Sequence, residues 1–253
     1  MPAGGGPALR WSCASPFRGY SGRLEDIVAS PRTALLAGAT GLVGRALLPM
    51  LLAGKHYQQV HVLLRRRAPD INADAKLKIH RVDFARLPTA FPMVDDVYLA
   101  LGTTIKVAGS EAAFRQVDLE FVLNTARAAR VAGATRLAVV SALGADPASR
   151  VFYNRVKGEM QAAVTQLGYT SVVFAQPSLL LGDRAALGQP SRIGEVWAAR
   201  LLGPLGRALP QGIRPIAART VAAALLAATL EAKPGVRVLK SGDMQAHDPP
   251  SRS

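Results

Sequence analysis

Short, continuous apolar runs alternate with longer stretches of helical periodicity along most of the chain. The apolar runs predict six strands, at residues 33–38, 59–65, 77–84, 96–102, 135–141 and 170–177. Between several of them apolar residues recur three or four positions apart, which predicts helices at residues 42–54, 110–133 and 149–168. Strands without strict alternation of apolar and polar residues are typical of a parallel sheet that helices cover on both faces. The pattern therefore predicts an α/β fold with a doubly wound parallel sheet of the Rossmann type.

The pattern loosens after residue 180, which suggests a second region. Residues 31–180 are predicted to form the Rossmann sheet domain. Residues 181–253 mix helical pieces with glycine and proline, and they then predict a helix at residues 218–232 and a last strand at residues 236–244. We expect residues 181–253 to form a small C-terminal lobe that packs on the sheet domain at the substrate side.

The first 30 residues bear on the location of the protein. They contain no apolar core of the kind that a secretory signal has. Their arginines and their scarcity of acidic residues would suit a mitochondrial presequence, but their prolines and glycines disfavour the amphipathic helix of such a segment. We therefore expect a flexible N-terminal extension at residues 1–30, and a cytoplasmic protein.

Composition and charge exclude several classes of function. With 49% hydrophobic and 19% charged residues and no apolar run near about 20 residues, the chain is expected to be globular, without a membrane span. The single cysteine, Cys13, excludes an internal disulfide, and the four histidines show no ligand spacing, so we predict no metal site. The net charge of +14 would suit nucleic acid, but no basic segment is interleaved with aromatic residues. We expect instead a basic surface that attracts anionic ligands. The sequence leaves open whether the protein is a monomer or a homodimer.

A glycine-rich turn joins the first predicted strand to the first predicted helix. Its sequence, Gly38-Ala39-Thr40-Gly41-Leu42-Val43-Gly44, has the spacing Gly-x-x-Gly-x-x-Gly. Glycines allow a tight turn and a close approach of the backbone to phosphate, while the helix N-terminus offers unpaired N–H groups and a partial positive charge. At this position in an alternating α/β chain, the turn predicts that a dinucleotide binds.

The residues after the second predicted strand indicate which dinucleotide binds. An NAD site of this kind usually has an acidic residue about 20 positions further on, which binds the ribose 2′-hydroxyl. No Asp or Glu occurs between Gly44 and Asp70, and the strand ends in Arg65-Arg66-Arg67. Guanidinium groups there would form bidentate, charge-assisted bonds to a 2′-phosphate. We therefore predict NADP (NADPH) as the cofactor, with Arg65 as its contact; the alternative is a solvated basic loop.

Three segments carry a family resemblance. Residues 100–122, 139–160 and 176–184 closely resemble the Tat-interacting-protein-like oxidoreductases, which are extended or atypical short-chain dehydrogenases/reductases related to the epimerases and dehydratases. The resemblance implies a Rossmann domain, bound NADPH and a Ser–Tyr–Lys catalytic set. The implied cofactor contacts are Gly38, Thr40, Gly41, Leu42, Val43 and Gly44 at the pyrophosphate, Asp83 and Phe84 beside the adenine, Leu101, Gly102 and Thr103 along the ribose, and Pro177 at the nicotinamide.

The implied catalytic residues are Ser141, at the end of the fifth strand, and Tyr153 and Lys157 on the next helix. A spacing of four positions places Tyr153 and Lys157 side by side on one helix face. In a hydride transfer, Tyr153 would exchange a proton with the substrate oxygen, and Lys157 would favour its phenolate and bind the nicotinamide ribose. Ser141 would position the substrate oxygen.

The sequence departs from the family pattern at two positions. Asp118 stands where many members carry the asparagine that completes a catalytic tetrad, and Gln176 precedes Pro177 where relatives often carry arginine. The predicted function is that of an NADP-dependent oxidoreductase acting on a carbonyl or hydroxyl compound. Two alternatives stay open: a nucleotide-sugar epimerase or dehydratase that keeps its cofactor bound, and a non-catalytic regulator that senses NADPH.

Overall fold

Nine strands form two parallel sheets in residues 32–181 and 214–247, the part of the chain that the structure, a computed structural model, describes. In chain order the strands are β1 (Arg32–Ala37), β2 (Tyr57–Leu64), β3 (Leu77–Arg81), β4 (Asp96–Leu99), β5 (Arg136–Val140), β6 (Ser171–Gln176), β7 (Leu180–Leu181), β8 (Ile216–Ala217) and β9 (Gly235–Lys240). Seven of them form the main sheet in the order β3-β2-β1-β4-β5-β6-β9, and every neighbouring pair is parallel. The short strands β7 and β8 form a separate parallel pair.

Helices cover both faces of the main sheet. In chain order they are α1 (Leu42–Ala53), α2 (Ile105–Ala108), α3 (Glu111–Arg115), a π-helical stretch (Gln116–Phe121), α4 (Val122–Val131), α5 (Phe152–Thr165), α6 (Ala218–Glu231) and α7 (Ser241–Gln245). In β1, Ala34 and Leu36 are buried with residues of α1 and α6 on one face, whereas Leu35 and Ala37 are buried with residues of α4 and α5 on the other. A sheet buried on both faces explains the continuous apolar runs, and the predicted doubly wound α/β fold is confirmed.

The strand order creates a crevice at the carboxyl ends of β1 and β4. The chain passes from β1 outward to β2 and β3, and it then returns to form β4 on the other side of β1. Ligands of doubly wound sheets bind where the strand order reverses in this way. The strand β4 ends at Leu99 rather than at residue 102 as predicted, so the residues that follow leave the sheet at the crevice.

The predicted helix at residues 110–133 is one continuous helical segment in which the winding changes. Its start is capped by Ser110, which accepts a hydrogen bond from the N–H of Ala113 at 3.1 Å. The helix α3 then passes directly into the π-helical stretch, and this stretch passes into α4. The sequence did not predict the wider turn. Such turns are frequent at functional sites, and this one contains the buried carboxylate of Asp118.

Residues 214–247, which are predicted to belong to a C-terminal lobe, add a helix and a strand to the sheet domain. The helix α6 packs in the same apolar cluster as α1, and β9 pairs with β6 over the whole length of both strands. The predicted extension at residues 1–30 lies outside the described residues, as do residues 182–213 of the predicted lobe. The division of the chain at residue 180 therefore stays a prediction.

Candidate active site

The glycine turn between β1 and α1 needs two of its glycines for its own shape. Gly38 has a φ of 95°, and a Cβ atom there would lie 2.4 Å from the carbonyl group of Ala100. A Cβ atom on Gly44 would lie 2.0 Å from the carbonyl oxygen of Gly38. Gly41 differs, because its Cβ atom would lie at an ordinary contact distance of 3.4 Å from that oxygen. A bare backbone at Gly41 fits a phosphate that approaches closely.

The first turn of α1 has neither a side-chain cap nor an acidic residue that would compete with a bound anion for its N–H groups. Gly41 is the residue that precedes the helix, and it has no side chain with which to cap the N–H groups. The first turn also contains no acidic residue. The unpaired N–H groups at a helix start carry a partial positive charge, which attracts phosphate. The residues present here therefore fit the pyrophosphate of a dinucleotide.

A cleft of about 470 Å³ joins the glycine turn to the amino end of α5. Most of the predicted site residues line it: Gly41, Leu42, Val43, Leu101, Gly102, Thr103, Ser141, Tyr153, Lys157 and Pro177. They follow the carboxyl ends of β1, β4, β5 and β6, or lie on α1 and α5. Because parallel strands all end at the same edge of the sheet, residues far apart in the sequence come together here.

Three other predicted contacts of the cofactor lie within or beside the glycine turn. Gly38 and Gly44 shape the turn, and Thr40 lines a separate cavity of about 540 Å³ next to α1. In the lining of that cavity Arg45 forms an ion pair with Asp70 at 2.5 Å. Asp70 is the first acidic residue after the turn, and its carboxylate is thus paired with a cation.

The predicted contacts at the adenosine end lie after β2 and β3. Arg65 directly follows β2 and is exposed. Since β2 runs parallel beside β1, Arg65 emerges at the same edge of the sheet as the glycine turn. Asp83 is exposed, whereas the ring of Phe84 is buried and stacks on Phe121, with 5.8 Å between the ring centroids. The Phe84 ring therefore belongs to the core and does not face the cleft.

Lys157 forms a buried ion pair with Asp118. Its Nζ atom lies 2.7 Å from Oδ1 of Asp118, and the two side chains are 4% and 1% exposed. The other oxygen, Oδ2, accepts a hydrogen bond from the N–H of Thr103 at 2.9 Å. Burial lowers the pKa of Lys157 and is the largest single influence, but the charge of Asp118, the interaction with Tyr153 and the hydrogen bond to Asp118 together raise the pKa above its usual value. Asp118 thus keeps Lys157 charged, a role that the comparison with the family asparagine did not predict.

Tyr153 lies one helical turn before Lys157 on α5 and lines the same cleft. Its ring is half-buried against Phe114, with 5.5 Å between the ring centroids. The electrostatic interaction between Tyr153 and Lys157 also raises the pKa of the lysine. As the spacing predicts, α5 brings a phenol and an ammonium group to one cleft.

Ser141 follows β5 and is 4% exposed. Its N–H donates to the carbonyl oxygen of Ala175 at 2.7 Å, and its Oγ accepts a hydrogen bond from Nε2 of Gln161 at 2.5 Å. Nε2 of Gln176 in turn donates to Oε1 of Gln161 at 3.3 Å. The sequence pattern did not single out Gln161. It lies four positions beyond Lys157 on the same helix face, and this spacing could have identified it.

Comparisons with known proteins identify the family of the chain and agree with its fold. Residues 38–171 match a family model described as NAD(P)H-binding. Protein HTATIP2 of Rattus norvegicus is 33% identical over 186 residues, which cover 72% of this chain and 74% of that protein. Among solved structures, the Bordetella bronchiseptica enzyme WbmG in complex with NAD has a TM-score of 0.62 at 16% identity, with 86% of this chain and 75% of that chain covered. The structural likeness shows the fold.

A second group of relatives corrects one prediction. The protein FMP52 of Candida albicans, which is named mitochondrial, is 32% identical over 154 residues, covering 59% of this chain and 67% of that protein. FMP52 proteins of several other fungi are also named mitochondrial. The prediction of a cytoplasmic protein is therefore wrong. It relied on the prolines and glycines of residues 1–30, and their effect on one helix does not determine the location.

Two further features of the described residues concern membranes and metals. None of the helices within residues 32–181 and 214–247 is long and apolar enough to cross a membrane. The same residues contain no group of three His, Cys, Asp or Glu side chains placed to hold a metal ion.

Proposed function

Since the chain belongs to the NAD(P)H-binding family within the short-chain dehydrogenases/reductases, we propose that it is an NADP-dependent oxidoreductase. It would transfer hydride between NADPH and a carbonyl or hydroxyl substrate. The observation that carries the proposal is the shared cleft: Ser141, Tyr153 and Lys157 line the same cavity as Gly41 at the glycine turn. NADPH bound at the turn would supply hydride, and Tyr153 on α5 would supply a proton. Both could then act on one substrate that lies in the cleft between them.

The glycine turn and the strand ends would hold the cofactor. The backbone N–H groups at the start of α1 would bind the pyrophosphate beside Gly41, where no side chain intervenes. Residues 101–103 leave β4 along the same cleft and would lie beside a ribose. Pro177 follows β6 and lines the cleft at the end away from the glycine turn. It would contact the nicotinamide.

Arginine at the end of β2 supports NADPH over NADH. Arg65 is exposed at the sheet edge that carries the glycine turn, where a 2′-phosphate would accept its N–H groups. An NAD site usually has an acidic residue there, but no Asp or Glu occurs between Gly44 and Asp70, and Asp70 itself is paired with Arg45. Arg65, for which the described residues supply no ion-pair partner, and an Asp70 carboxylate that is paired with Arg45 both favour the more negatively charged cofactor.

Three side chains would perform the proton chemistry. NADPH supplies the hydride, and the protein must deliver a proton to the substrate oxygen. Tyr153 is placed to hold that proton, and the cation of Lys157, kept charged by Asp118, would stabilise the phenolate that forms. The hydroxyl of Ser141 would orient the substrate oxygen. In the reverse direction the same groups would remove the proton from an alcohol.

A screen of carbonyl compounds tests the proposal. The purified chain is supplied with NADPH and with a panel of aldehydes, ketones and quinones, and the loss of NADPH absorbance is followed. We expect oxidation of NADPH in the presence of at least one compound. Binding of NADPH in a fluorescence titration without turnover of any compound would contradict an enzyme and favour a cofactor-sensing protein.

A further inference from the structure

The hydroxyl of Ser141 is held by a side chain outside the catalytic set. Nε2 of Gln161 donates to it at 2.5 Å. Gln161 lies on α5 one helical turn beyond Lys157, so that Tyr153, Lys157 and Gln161 follow one another at spacings of four along one face. The proposed proton chemistry gives Gln161 no task, and its contact with Ser141 needs a separate explanation.

A second glutamine fixes which end of the Gln161 amide faces Ser141. Gln176 is the last residue of β6 and is buried. Its Nε2 atom donates to Oε1 of Gln161 at 3.3 Å. Because the amide oxygen of Gln161 is engaged by Gln176, its N–H group points toward the serine. The two glutamines thus form a short chain of hydrogen bonds that ends at the Ser141 hydroxyl.

The direction of this chain determines what the hydroxyl can do. A serine hydroxyl has one proton to donate and two lone pairs that accept. Gln161 presents an N–H group, so it occupies a lone pair of Ser141 and leaves the proton free. A carboxylate at the same place would act in the opposite way, since it accepts hydrogen bonds only.

We infer that Gln161 is a positioning residue, which keeps the Ser141 proton directed into the cleft for the substrate oxygen. The inference rests on the proposed function and deepens it, because it specifies the kind of atom bound. The site would hold an oxygen that accepts hydrogen bonds from both Ser141 and Tyr153. A carbonyl oxygen that gains negative charge during reduction is such an atom.

The substitution Gln161→Glu reverses the hydrogen bond and tests the inference. At neutral pH the carboxylate would accept a hydrogen bond from the Ser141 hydroxyl. The hydroxyl would then point away from the substrate oxygen. We expect kcat for the best carbonyl compound of the screen to fall on the order of tenfold or more, with NADPH affinity unchanged. As the pH falls and the carboxyl group gains a proton, kcat should recover. The pH optimum of the variant would thus shift to the acid side, which a merely structural role would not cause.

Two further variants serve as controls. Gln166→Glu makes the same chemical change at an exposed position just after α5, and it should keep the pH profile of the unsubstituted protein. Gln161→Met keeps the length of the side chain but removes the donor. Its kcat should fall less than that of Gln161→Glu. The Ser141 hydroxyl loses its hydrogen-bond partner, but no carboxylate draws its proton away from the substrate oxygen. A Gln161→Glu protein with unchanged kcat and unchanged pH profile overturns the inference.

A second measurement separates the inference from the proposed function. Unfolding in urea is compared for Ser141→Ala, Gln161→Met and the double variant. If the two side chains are bonded, the double variant loses less stability than the two single losses combined. Additive losses overturn the contact itself and hence the inference. A protein that reduces no carbonyl compound, yet shows this coupling, overturns the proposed function and the positioning role that rests on it.

Discussion

One carboxylate, that of Asp118, joins the ammonium group of Lys157 to the backbone of Thr103. Its Oδ1 lies 2.7 Å from Nζ of Lys157, and its Oδ2 accepts the Thr103 N–H at 2.9 Å. Both side chains of the ion pair are almost completely buried. Thr103 lies in the segment after β4 that is proposed to lie beside the cofactor ribose, so in that proposal Asp118 would fix the lysine relative to the ribose.

Replacing this carboxylate should cost both stability and charge on the lysine. In Asp118→Asn the amide retains a hydrogen-bond acceptor, but Lys157 is left buried without an anion. We expect a loss of about 3–5 kcal/mol in the free energy of unfolding, measured in urea. The pKa of Lys157 should fall, since burial lowers it and the main opposing charge is gone.

Glu120 offers a matched control for this substitution. It lies on the same π-helical stretch, but it is exposed. Glu120→Gln therefore removes one negative charge without disturbing a buried pair, and it should change stability by less than about 0.5 kcal/mol. Equal stability of the two variants would show that the ion pair of Lys157 does not stabilise the fold.

Arg65 should determine the preference for NADPH. In Arg65→Ala the affinity for NADPH should fall roughly 10- to 100-fold, because a hydrogen bond to a charged group contributes about 1.5–3 kcal/mol. The affinity for NADH, which lacks the 2′-phosphate, should hardly change. Fluorescence titration of both cofactors measures the ratio, with Arg127→Ala on the exposed face of α4 as the control for net charge. A parallel loss for both cofactors would assign Arg65 a different contact.

The sheet could be predicted from the sequence because its strands are buried on both faces. In β1 four residues in succession, Ala34 to Ala37, are buried, and such a run is hard to mistake. The place of β9 beside β6 was not predictable in the same way. Its residues are mostly exposed or half-buried because β9 forms the edge of the sheet, so its pattern carries a weaker signal.

The cleft was predictable from local motifs, but its hydrogen-bond network was not. The glycine turn and the spacing of Tyr153 and Lys157 are properties of neighbouring residues. The partnership of Asp118 with Lys157 depends on a π-helical turn and on tertiary packing, neither of which leaves a local pattern. Phe84 shows the opposite case, since its place in a motif suggested contact with the adenine whereas its ring packs in the core.

A histidine pair on β2 and β3 should make stability depend on pH. Nδ1 of His61 lies 2.7 Å from Nε2 of His80, and this hydrogen bond needs at least one neutral ring. Burial lowers the pKa of both, and His80 and Lys78 lower that of His61 further. Since the unfolded chain binds protons more readily below about pH 6.5, the free energy of unfolding should decrease as the pH falls through this range.

Substitution of one histidine tests this dependence. In His80→Gln the decrease in unfolding free energy between about pH 7.5 and about pH 5.5 should be smaller than in the unsubstituted protein, as measured in urea. The exposed His56 provides the control, and His56→Gln should leave the decrease unchanged. If His80→Gln retains the full decrease, the pair is not its source.

Single-turnover oxidation of bound NADPH by the Tyr153→Phe protein tests the central claim most directly. The variant keeps the aromatic ring and its packing on Phe114 and removes only the hydroxyl group. With the best carbonyl compound of the screen, we expect the rate to fall about 10²- to 10⁴-fold while the affinity for NADPH stays within about twofold. An undiminished rate would contradict Tyr153 as the proton donor, and with it the assignment of the cleft as a Ser–Tyr–Lys active site.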